Sequence, residues 1–428
     1  MERQDVVIVG AGIFGLSIAY HILRENPGKH VTVFEKFGTC AQGNTAKSAG
    51  AFRNVFSSKT NLLLADTSID FYMDIHRKGY DIGLEQAGYL WLMSASQIER
   101  NKTVFEGMMK EGVELKFFEK EDLKKVMPYL NTDIDPDDEE ARMMGLESIE
   151  KGIQGVKCGF VDADKLTRFY EGEVKKMGGS VIYNTEVEKP LLEPKEKLGL
   201  ECEPLIWQDV EITGVKLKNG HTVNADKVII AANSWAPQIL DPVGIDCMIK
   251  SVKRQMFVLR NPKLNVLTNV HGFNSMGVLP FTIFPKASVY IRVDRIEGSV
   301  WASGHEHFGA PYCFEEDPKA TDEYYDYNIY QVLRKYMPIF DGLKASNKWA
   351  GLYDMNTIDA NPYIFETHNV IIAVGSSGSG IMKADAVGRI TAALYAGRTE
   401  AELYGGKKFK VSALGIKNRQ VDAERFIL

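Results

Sequence analysis

Cysteine is scarce in this sequence, and the few cysteines follow no ligand-binding pattern. The 428 residues include Cys40, Cys158, Cys202, Cys247 and Cys313, an odd number at wide spacing with no CxxC pair. This spacing argues against zinc or iron–sulfur ligation and against a disulfide framework. We therefore expect five independent thiols in a reducing compartment, and no metal site.

Long apolar runs and an excess of positive charge are also missing. No apolar stretch approaches the length of a membrane span, and no signal peptide is visible at the N-terminus. Lysine and arginine number 51 against 57 acidic residues, which gives a net charge of −6. This balance argues against nucleic acid as the main partner, because phosphate binding needs a basic stripe. The sequence predicts a cytoplasmic protein and leaves a peripheral association with the membrane open.

The first residues of the chain have the pattern of a strand, a helix and a second strand. The run at 6–10 (VVIVG) is apolar and β-branched, which predicts a strand buried on both faces. Residues 14–24 have helical apolar spacing, and 30–34 (HVTVF) predicts the next strand after a Pro-Gly break. Together these segments predict a βαβ unit.

A GxGxxG motif lies between the first strand and the helix. Gly10 would make the tight turn, Gly12 would let backbone approach a pyrophosphate, and Gly15 would let the helix pack on the sheet. Glu35 ends the second strand at the distance expected for a carboxylate that binds both ribose hydroxyls. Because this carboxylate would repel a 2′-phosphate, the motif predicts an adenosine diphosphate cofactor that is not of the NADP type.

The segment after the second strand distinguishes two cofactors that share this motif. An NAD domain usually continues with further βα units. Here residues 38–50 (GTCAQGNTAKSAG) form a long run of small and polar residues, which is typical of a loop that approaches a ligand closely. This difference favours FAD over NAD.

The strand types along the chain predict two domains, one inserted into the other. Buried strands of parallel type are expected at 6–10 and 370–374, with alternating antiparallel strands at 248–301 between them. We predict an α/β fold (α+β overall), with a Rossmann-like FAD-binding domain and an inserted antiparallel-sheet substrate domain. The predicted bounds are 1–90, 155–245 and 350–405 for the discontinuous FAD-binding domain, 91–154 and 246–349 for the substrate domain, and 406–428 for a C-terminal tail. The tail ends in apolar residues, which we expect to dock over the active-site mouth.

Four blocks spread along the chain carry a family resemblance. They are 6–35, 44–56 (NTAKSAGAFRNVF), 225–236 (ADKVIIAANSWA) and 370–388 (VIIAVGSSGSGIMKADAVG). In these blocks the chain resembles the D-amino-acid oxidase (DAO) superfamily of flavoenzymes, in the branch that contains sarcosine oxidase, glycine oxidase and dimethylglycine dehydrogenase. Within that branch it is most similar to the archaeal dye-linked L-proline dehydrogenases.

The resemblance implies that FAD is bound in an extended form by several separate segments. The terminal glycine-rich loop would present N–H groups to the flavin N1–C2=O edge, which becomes negative on reduction. The implied cofactor-binding residues are Gly10, Gly12, Ile13, Phe14, Gly15, Glu35, Lys36, Thr45, Ala46, Lys47, Ser48, Val187, Ala232, Asn233, Trp235, Gly378, Ser379, Gly380, Ile381, Met382 and Lys383. Some relatives attach the flavin through a cysteine just before the last domain strand or a histidine in the segment equivalent to Lys47. Neither residue is present here, so we predict non-covalent FAD.

The resemblance also implies five residues in the substrate site. Arg53 and Lys383 match positions that clamp a substrate carboxylate, although Arg53 could instead form a structural salt bridge and Lys383 could face solvent. Tyr353 matches an aromatic position near the substrate and Tyr290 could line the pocket, although ordinary packing would also explain both. Arg292 falls near the place where sarcosine oxidase has an oxygen-activating lysine. The missing lysine favours a dehydrogenase over an oxidase.

The activity that the resemblance implies is oxidation of an amino-acid C–N bond. We predict that L-proline is converted to 1-pyrroline-5-carboxylate by hydride transfer to flavin N5, and that the electrons pass to a dye or quinone acceptor. One alternative is a sarcosine or glycine oxidase that makes hydrogen peroxide. Another is an FAD-binding subunit that turns over only with a partner chain. A homo-oligomer is compatible with either activity.

Overall fold

A computed structural model of the protein describes residues 4–285, 288–305 and 309–426. Its strands are β1 (Gln4–Val9), β2 (Val31–Phe34), β3 (Ala51–Phe52), β4 (Tyr89–Met93), β5 (Leu115–Glu119), β6 (Lys151–Gly155), β7 (Gly159–Phe160), β8 (Ser180–Ile182), β9 (Val187–Pro194), β10 (Val210–Leu217), β11 (Thr222–Ile230), β12 (Ile249–Leu259), β13 (Phe281–Ile283), β14 (Tyr290–Asp294), β15 (Ser299–Ser303), β16 (Asn347–Asn356), β17 (Tyr363–Thr367), β18 (Val370–Val374), β19 (Glu400–Glu402) and β20 (Lys408–Lys410). Its α-helices are α1 (Ile13–Glu25), α2 (Lys59–Arg77), α3 (Ala95–Lys110), α4 (Lys120–Val126), α5 (Glu139–Met143), α6 (Ala163–Lys176), α7 (Ala236–Leu240), α8 (Asp322–Tyr324), α9 (Tyr330–Tyr336) and α10 (Ala384–Tyr395).

The first sheet has the strand order β17-β18-β11-β1-β2-β8. The pairs from β18 to β8 are parallel, and β17 and the β9–β10 hairpin join in antiparallel pairing. Alternate residues of β1 face opposite layers, since Val6 and Ile8 pack with α1 and α10 while Val7 and Val9 pack toward α7. The central strands are therefore covered on both sides, as the apolar run at 6–10 predicts.

The second sheet has the order β16-β12-β15-β14-β13-β4-β6-β5 and is antiparallel except between β13 and β4. Strand β4 pairs in parallel with β13 on one side and antiparallel with β6 on the other. The predicted fold class, a Rossmann-like parallel sheet combined with an antiparallel sheet, is confirmed.

Helix α6 and strand β8 are each bounded by a local feature. Helix α6 begins at Ala163, because Phe160 pairs with Ala51 in a short strand and Asp162 caps the helix by accepting bonds from the next turn. Strand β8 ends at Ile182, and Asn184, two residues later, adopts a positive φ of 52°.

The domain bounds drawn from the sequence remain a proposal. Strand β16 runs across the proposed bound at residue 350, because its ten residues pair with β12 along the second sheet. Within the described ranges, no helix combines the length and the apolar character needed to cross a bilayer. The same residues contain no cluster of three or more histidine, cysteine or acidic side chains that could hold a metal ion.

Candidate active site

Three adjoining cavities run from the first sheet to the second. The first, of about 260 Å³, lies at the carboxyl ends of β1 and β2, and the second is a narrow space of about 90 Å³. The third is the largest, at about 960 Å³. The first and second share Asn44, Thr45 and Asn233 as lining residues, and the second and third share Ser48, Ala49, Tyr290, Tyr353 and Gly378. The cavities therefore lie next to one another in a row.

The glycine motif shapes the first cavity through its backbone. A Cβ on Gly10, whose φ is +104°, would lie 2.9 Å from the Ala231 oxygen. A Cβ on Gly15 would lie 1.8 Å from the Gly10 oxygen, so only glycine lets α1 pack this close to the turn. Gly12 lines the first cavity and precedes α1, so the positive end of the helix dipole lies at this cavity, where the Ile13 N–H donates to Thr45 Oγ1 at 3.2 Å.

The Glu35 carboxylate is held at the edge of the first cavity by backbone. Its Oε2 accepts a bond from the Ala11 N–H at 2.8 Å, and its Oε1 accepts one from the Phe37 N–H at 3.0 Å. Burial raises the pKa of Glu35, and these two N–H donors act in the opposite direction. The carboxylate keeps acceptor capacity toward the cavity, as ribose hydroxyls would need.

Lys36 and Trp235 form the outer wall of the first cavity. The Lys36 ammonium lies 4.4 Å from the centre of a Trp235 ring and pairs with Glu316. Trp235 Nε1 donates to the same Glu316 carboxylate at 2.9 Å. This wall is thus a cation, an aromatic ring and a carboxylate that hold one another in place.

Asn233 lies where the first two cavities meet and indicates a ligand there. Its φ is +44°, and its Oδ1 is buried without a hydrogen-bond partner in the structure. A buried acceptor of this kind is rare unless a bound group supplies the donor. Together with the glycine turn and Glu35, it fits an adenosine dinucleotide that passes from the first cavity into the second.

The second cavity is built around the loop that follows β18. Asp354 accepts bonds from the N–H groups of Gly375 at 2.7 Å and Ser376 at 2.8 Å, and also from the Ser376 hydroxyl. Burial raises the pKa of Asp354, while these donors lower it. Gly378 has a φ of +80°, and a Cβ there would lie 2.2 Å from the Tyr353 ring. The loop therefore stays close to Tyr353 on one side of this cavity.

The third cavity contains the two predicted clamp residues, of which Lys383 is buried and Arg53 is half-buried. Lys383 is 1% exposed, and its Nζ donates to Asn61 Oδ1. Burial, and then the neighbouring Arg53 guanidinium, lower the pKa of Lys383 to about 7. Arg53 stacks 4.1 Å from the centre of the Phe56 ring and donates to the Val55 oxygen. Burial lowers its pKa as well.

Aromatic rings form one wall of the third cavity. Tyr89 stacks on Phe281 at 4.3 Å, and Phe281 stacks on Tyr290 at 4.7 Å, measured between ring centres. Burial raises the pKa of both Tyr290 and Tyr353, so each hydroxyl stays neutral and can donate a hydrogen bond. The wall offers apolar surface beside the cations.

Most of the predicted site residues line these cavities. The first cavity is lined by Gly10, Gly12, Glu35, Lys36, Thr45, Val187, Ala232, Asn233 and Trp235. The second is lined by Ile13, Thr45, Lys47, Ser48, Asn233, Tyr290, Tyr353, Gly378, Gly380 and Ile381. The third is lined by Ser48, Arg53, Tyr290, Tyr353, Gly378, Ser379, Met382 and Lys383.

Four predicted residues line none of the three cavities. Phe14 is in the core, Gly15 packs on the turn, and the Ala46 N–H is bonded to the Ala41 oxygen. Arg292 lies with its guanidinium 4.5 Å from the ring centres of Phe160 and Trp301, and donates to the Ala49 oxygen. Arg292 therefore supports the wall of the third cavity from behind.

Several lining residues were not predicted from the sequence. Asp354 and Arg254 line the second cavity, and Tyr89, Asn61 and Glu424 line the third. Asp354 follows Tyr353 and could have been found from its position opposite the terminal glycine loop. Glu424 lies in the tail, where the sequence carries no local signal for a pocket. Ile427 and Leu428, the apolar end of the tail, lie outside the described residues.

The family of the chain is given by a sequence comparison over most of its length. The profile of the family described as "DAO: FAD dependent oxidoreductase" matches residues 5–394. Among curated proteins, "FAD-dependent oxidoreductase domain-containing protein 1" of Xenopus laevis is 26% identical over 417 residues, covering 92% of this chain and 79% of that protein. Sarcosine oxidase subunit beta of an Arthrobacter species is 24% identical over 380 residues, covering 86% and 80%.

A solved structure gives the same fold. L-proline dehydrogenase from P. horikoshii superposes with a TM-score of 0.76 at 23% identity, covering 98% of both chains. At this identity the similarity establishes the fold alone.

Proposed function

Since the chain belongs to the FAD dependent oxidoreductase (DAO) family, we propose that it is a dehydrogenase that oxidises the C–N bond of L-proline. The observation that carries this proposal is the pair of cations in the third cavity, the buried Lys383 and the half-buried Arg53. Buried charges are costly unless a counter-ion meets them, and the carboxylate of an amino acid would do so. The similarity to L-proline dehydrogenase of P. horikoshii supports proline as the amino acid.

The cavity walls suit a small cyclic secondary amine. Arg53 offers a planar fork and Lys383 a point charge, which together bind and orient one carboxylate. The stacked rings of Tyr89, Phe281 and Tyr290 would contact the apolar ring carbons of proline and exclude water. The carboxylate then fixes the direction in which the C–N bond points.

The residues of the first two cavities would hold FAD, from Glu35 and the glycine turn to the loop at Gly378–Gly380. When bound, FAD supplies the acceptor for the hydride that leaves the substrate. L-proline loses that hydride from C5 and a proton from nitrogen, which gives 1-pyrroline-5-carboxylate. Since little acid–base chemistry is needed, the main contribution of the chain is to position the substrate.

A dehydrogenase and an oxidase share all of these features. The similarity to sarcosine oxidase subunit beta favours testing an oxidase as the second candidate, and a partner-dependent subunit as the third. Lys47 lines the second cavity, so a lysine is available near the proposed flavin site although Arg292 points elsewhere. We propose a dye or quinone as the electron acceptor, and non-covalent attachment of FAD.

The test is the visible spectrum of the purified protein under argon as L-proline is added. Flavin bands that bleach would support the proposal, and oxygen consumption on admission of air would then separate an oxidase from a dehydrogenase. Flavin bands that persist would contradict proline as the substrate, and sarcosine and glycine would be tried next. Bleaching that appears only with a cell extract would favour the partner-dependent subunit.

A further inference from the structure

A carboxylate from the C-terminal tail lies in the same cavity as the two clamp cations. Glu424 lines the third cavity together with Arg53 and Lys383. Its Oε1 accepts bonds from the Ser57 N–H at 2.9 Å and the Ser57 hydroxyl at 2.5 Å. Its Oε2 accepts a bond from Asn61 Nδ2 at 3.3 Å. The carboxylate is therefore fixed at the N-terminal end of α2, beside the clamp.

Asn61 connects this carboxylate to the lysine. Its Nδ2 donates to Glu424, while its Oδ1 accepts from Lys383 Nζ, and the side chain is 3% exposed. The two ends of the amide thus face an acceptor and a donor as their chemistry requires. The negative charge of Glu424 favours the charged form of Lys383, although the two side chains form no direct ion pair. The Lys383 ammonium therefore keeps further hydrogens for a ligand.

The charges that line the cavity leave one positive charge in excess. Among the described lining residues the formal charges are those of Arg53, Lys383, Arg419, Asp359 and Glu424. Arg419 pairs with Asp359 at 2.6 Å and 2.7 Å, so these two charges compensate each other. Burial lowers the pKa of both Arg53 and Lys383, whereas the Glu424 carboxylate acts on both in the opposite direction. Two cations and one carboxylate remain at the clamp.

We propose that Glu424 sets the charge that this pocket accepts, so that it binds substrates with one carboxylate and rejects those with two. A single carboxylate neutralises the remaining positive charge, whereas a second would add a like charge to the cavity that Glu424 lines, where like charges repel more strongly than in bulk water. Glu424 is thus a specificity-determining residue for amino monocarboxylates. The inference rests on the proposed function, because it assigns Arg53 and Lys383 to the substrate carboxylate.

The test compares two ligands that cannot be oxidised at a C–N bond. Tetrahydrofuran-2-carboxylate has one carboxylate on a proline-like ring, and cis-tetrahydrofuran-2,5-dicarboxylate has two. Dissociation constants come from the change in flavin absorbance as each ligand is added to the FAD-loaded protein. We expect the wild type to prefer the monocarboxylate. Glu424→Gln should shift the ratio of the two constants toward the dicarboxylate by about tenfold or more.

Asp422 offers a matched control in the same tail segment. It accepts bonds from the Lys59 N–H at 2.6 Å and the Thr60 N–H at 3.0 Å, and so also ties the tail to α2, but it does not line the cavity. Asp422→Asn should loosen the tail and weaken the binding of both ligands alike. The ratio of their dissociation constants should therefore stay unchanged. If Glu424 only anchored the tail, both variants would behave in this way, and the inference would be overturned.

The outcomes separate this inference from the proposed function. A shifted ratio in Glu424→Gln without any flavin reduction by L-proline would support the charge rule and contradict proline as the substrate. Reduction by L-proline with an unchanged ratio would support the function and contradict the role of Glu424. If Glu424→Gln does not fold, Glu424→Asp should keep the wild-type preference, and a preference for the dicarboxylate in that variant would contradict the inference.

Discussion

The glycine turn of the first cavity is formed by backbone, whereas the clamp of the third cavity is formed by side chains from distant parts of the chain. Gly10, Gly12 and Glu35 shape the first cavity within a single βαβ unit. The clamp of the third cavity needs side chains from before α2, from α2 itself, from the turn before α10 and from the tail. A site made of backbone is encoded locally, while a site made of side chains depends on the whole fold. The two sites should therefore respond differently to substitution.

The largest effect is expected where a side chain is added to the backbone site. In Gly15→Ala the new Cβ would lie 1.8 Å from the Gly10 oxygen, so α1 or the turn must move. Overpacking costs about 1–3 kcal/mol, and more when rigid backbone is involved. We expect most of the bound flavin to be lost, as measured by the flavin-to-protein absorbance ratio. Gly172→Ala in α6, where a Cβ meets nothing within 4 Å, should retain full flavin content.

The second effect is confined to the side-chain site. Lys383→Met keeps the length of the side chain but removes one of the two clamp cations. Because a hydrogen bond to a charged group contributes about 1.5–3 kcal/mol, we expect KM for L-proline to rise roughly ten- to hundredfold. The flavin content should stay at the wild-type value, since Lys383 lines the third cavity and not the first. Lys165→Met, at an exposed pair with Asp81, should leave KM unchanged.

The third effect is a pH dependence of ligand binding in the third cavity. Burial lowers the pKa of Lys383 to about 7, with Arg53 acting in the same direction and Glu424 and Asp359 in the other. The protonated amine is the form that binds a carboxylate, so binding should be strongest below this pKa and weaken as pH rises above it. We expect up to about a tenfold loss of affinity for tetrahydrofuran-2-carboxylate per pH unit. In Lys383→Met the affinity should stay constant through this pH range. If the affinity of the wild type also stays constant, the assignment of Lys383 is wrong.

The smallest effect is expected at the amide that joins Lys383 to Glu424. Asn61→Ala removes an acceptor that favours the charged lysine, so the pKa seen in the ligand-binding profile should move to lower pH. The KM for L-proline should rise about fivefold, in line with the loss of one net hydrogen bond. Asn61→Asp should move the profile to higher pH instead. Profiles that coincide in all three proteins would argue that Asn61 has only a structural role.

The glycine turn of the first cavity and Glu35 can be identified from the sequence because these residues are neighbours in the chain. Strand β1, helix α1 and the turn between them follow from an apolar run, a helical repeat and three glycines. Arg53 and Lys383 were found through the family resemblance, and the structure brings them into one cavity. Neither residue has a local pattern that would reveal the other.

Glu424 and Asn61 show where sequence reasoning ends. Asn61 lies in the first turn of α2, where a polar residue needs no functional explanation, and Glu424 lies between charged residues of the tail. Arg292 shows the converse, because its position in the sequence favoured a catalytic role, whereas its guanidinium packs between Phe160 and Trp301. Such placements depend on tertiary packing that no local pattern records.

The order of strands in the first sheet has a consequence for biosynthesis. Strand β11 pairs with β1 on one side and with β18 on the other, yet about 140 residues separate the end of β11 from the start of β18. At about 5–20 residues per second, the ribosome needs roughly 7 to 28 seconds to make that interval. During this time one edge of the nascent parallel sheet stays unpaired, which is a template for aggregation. We expect chains that are cut short at residue 360 to scatter light on release unless a chaperone covers that edge.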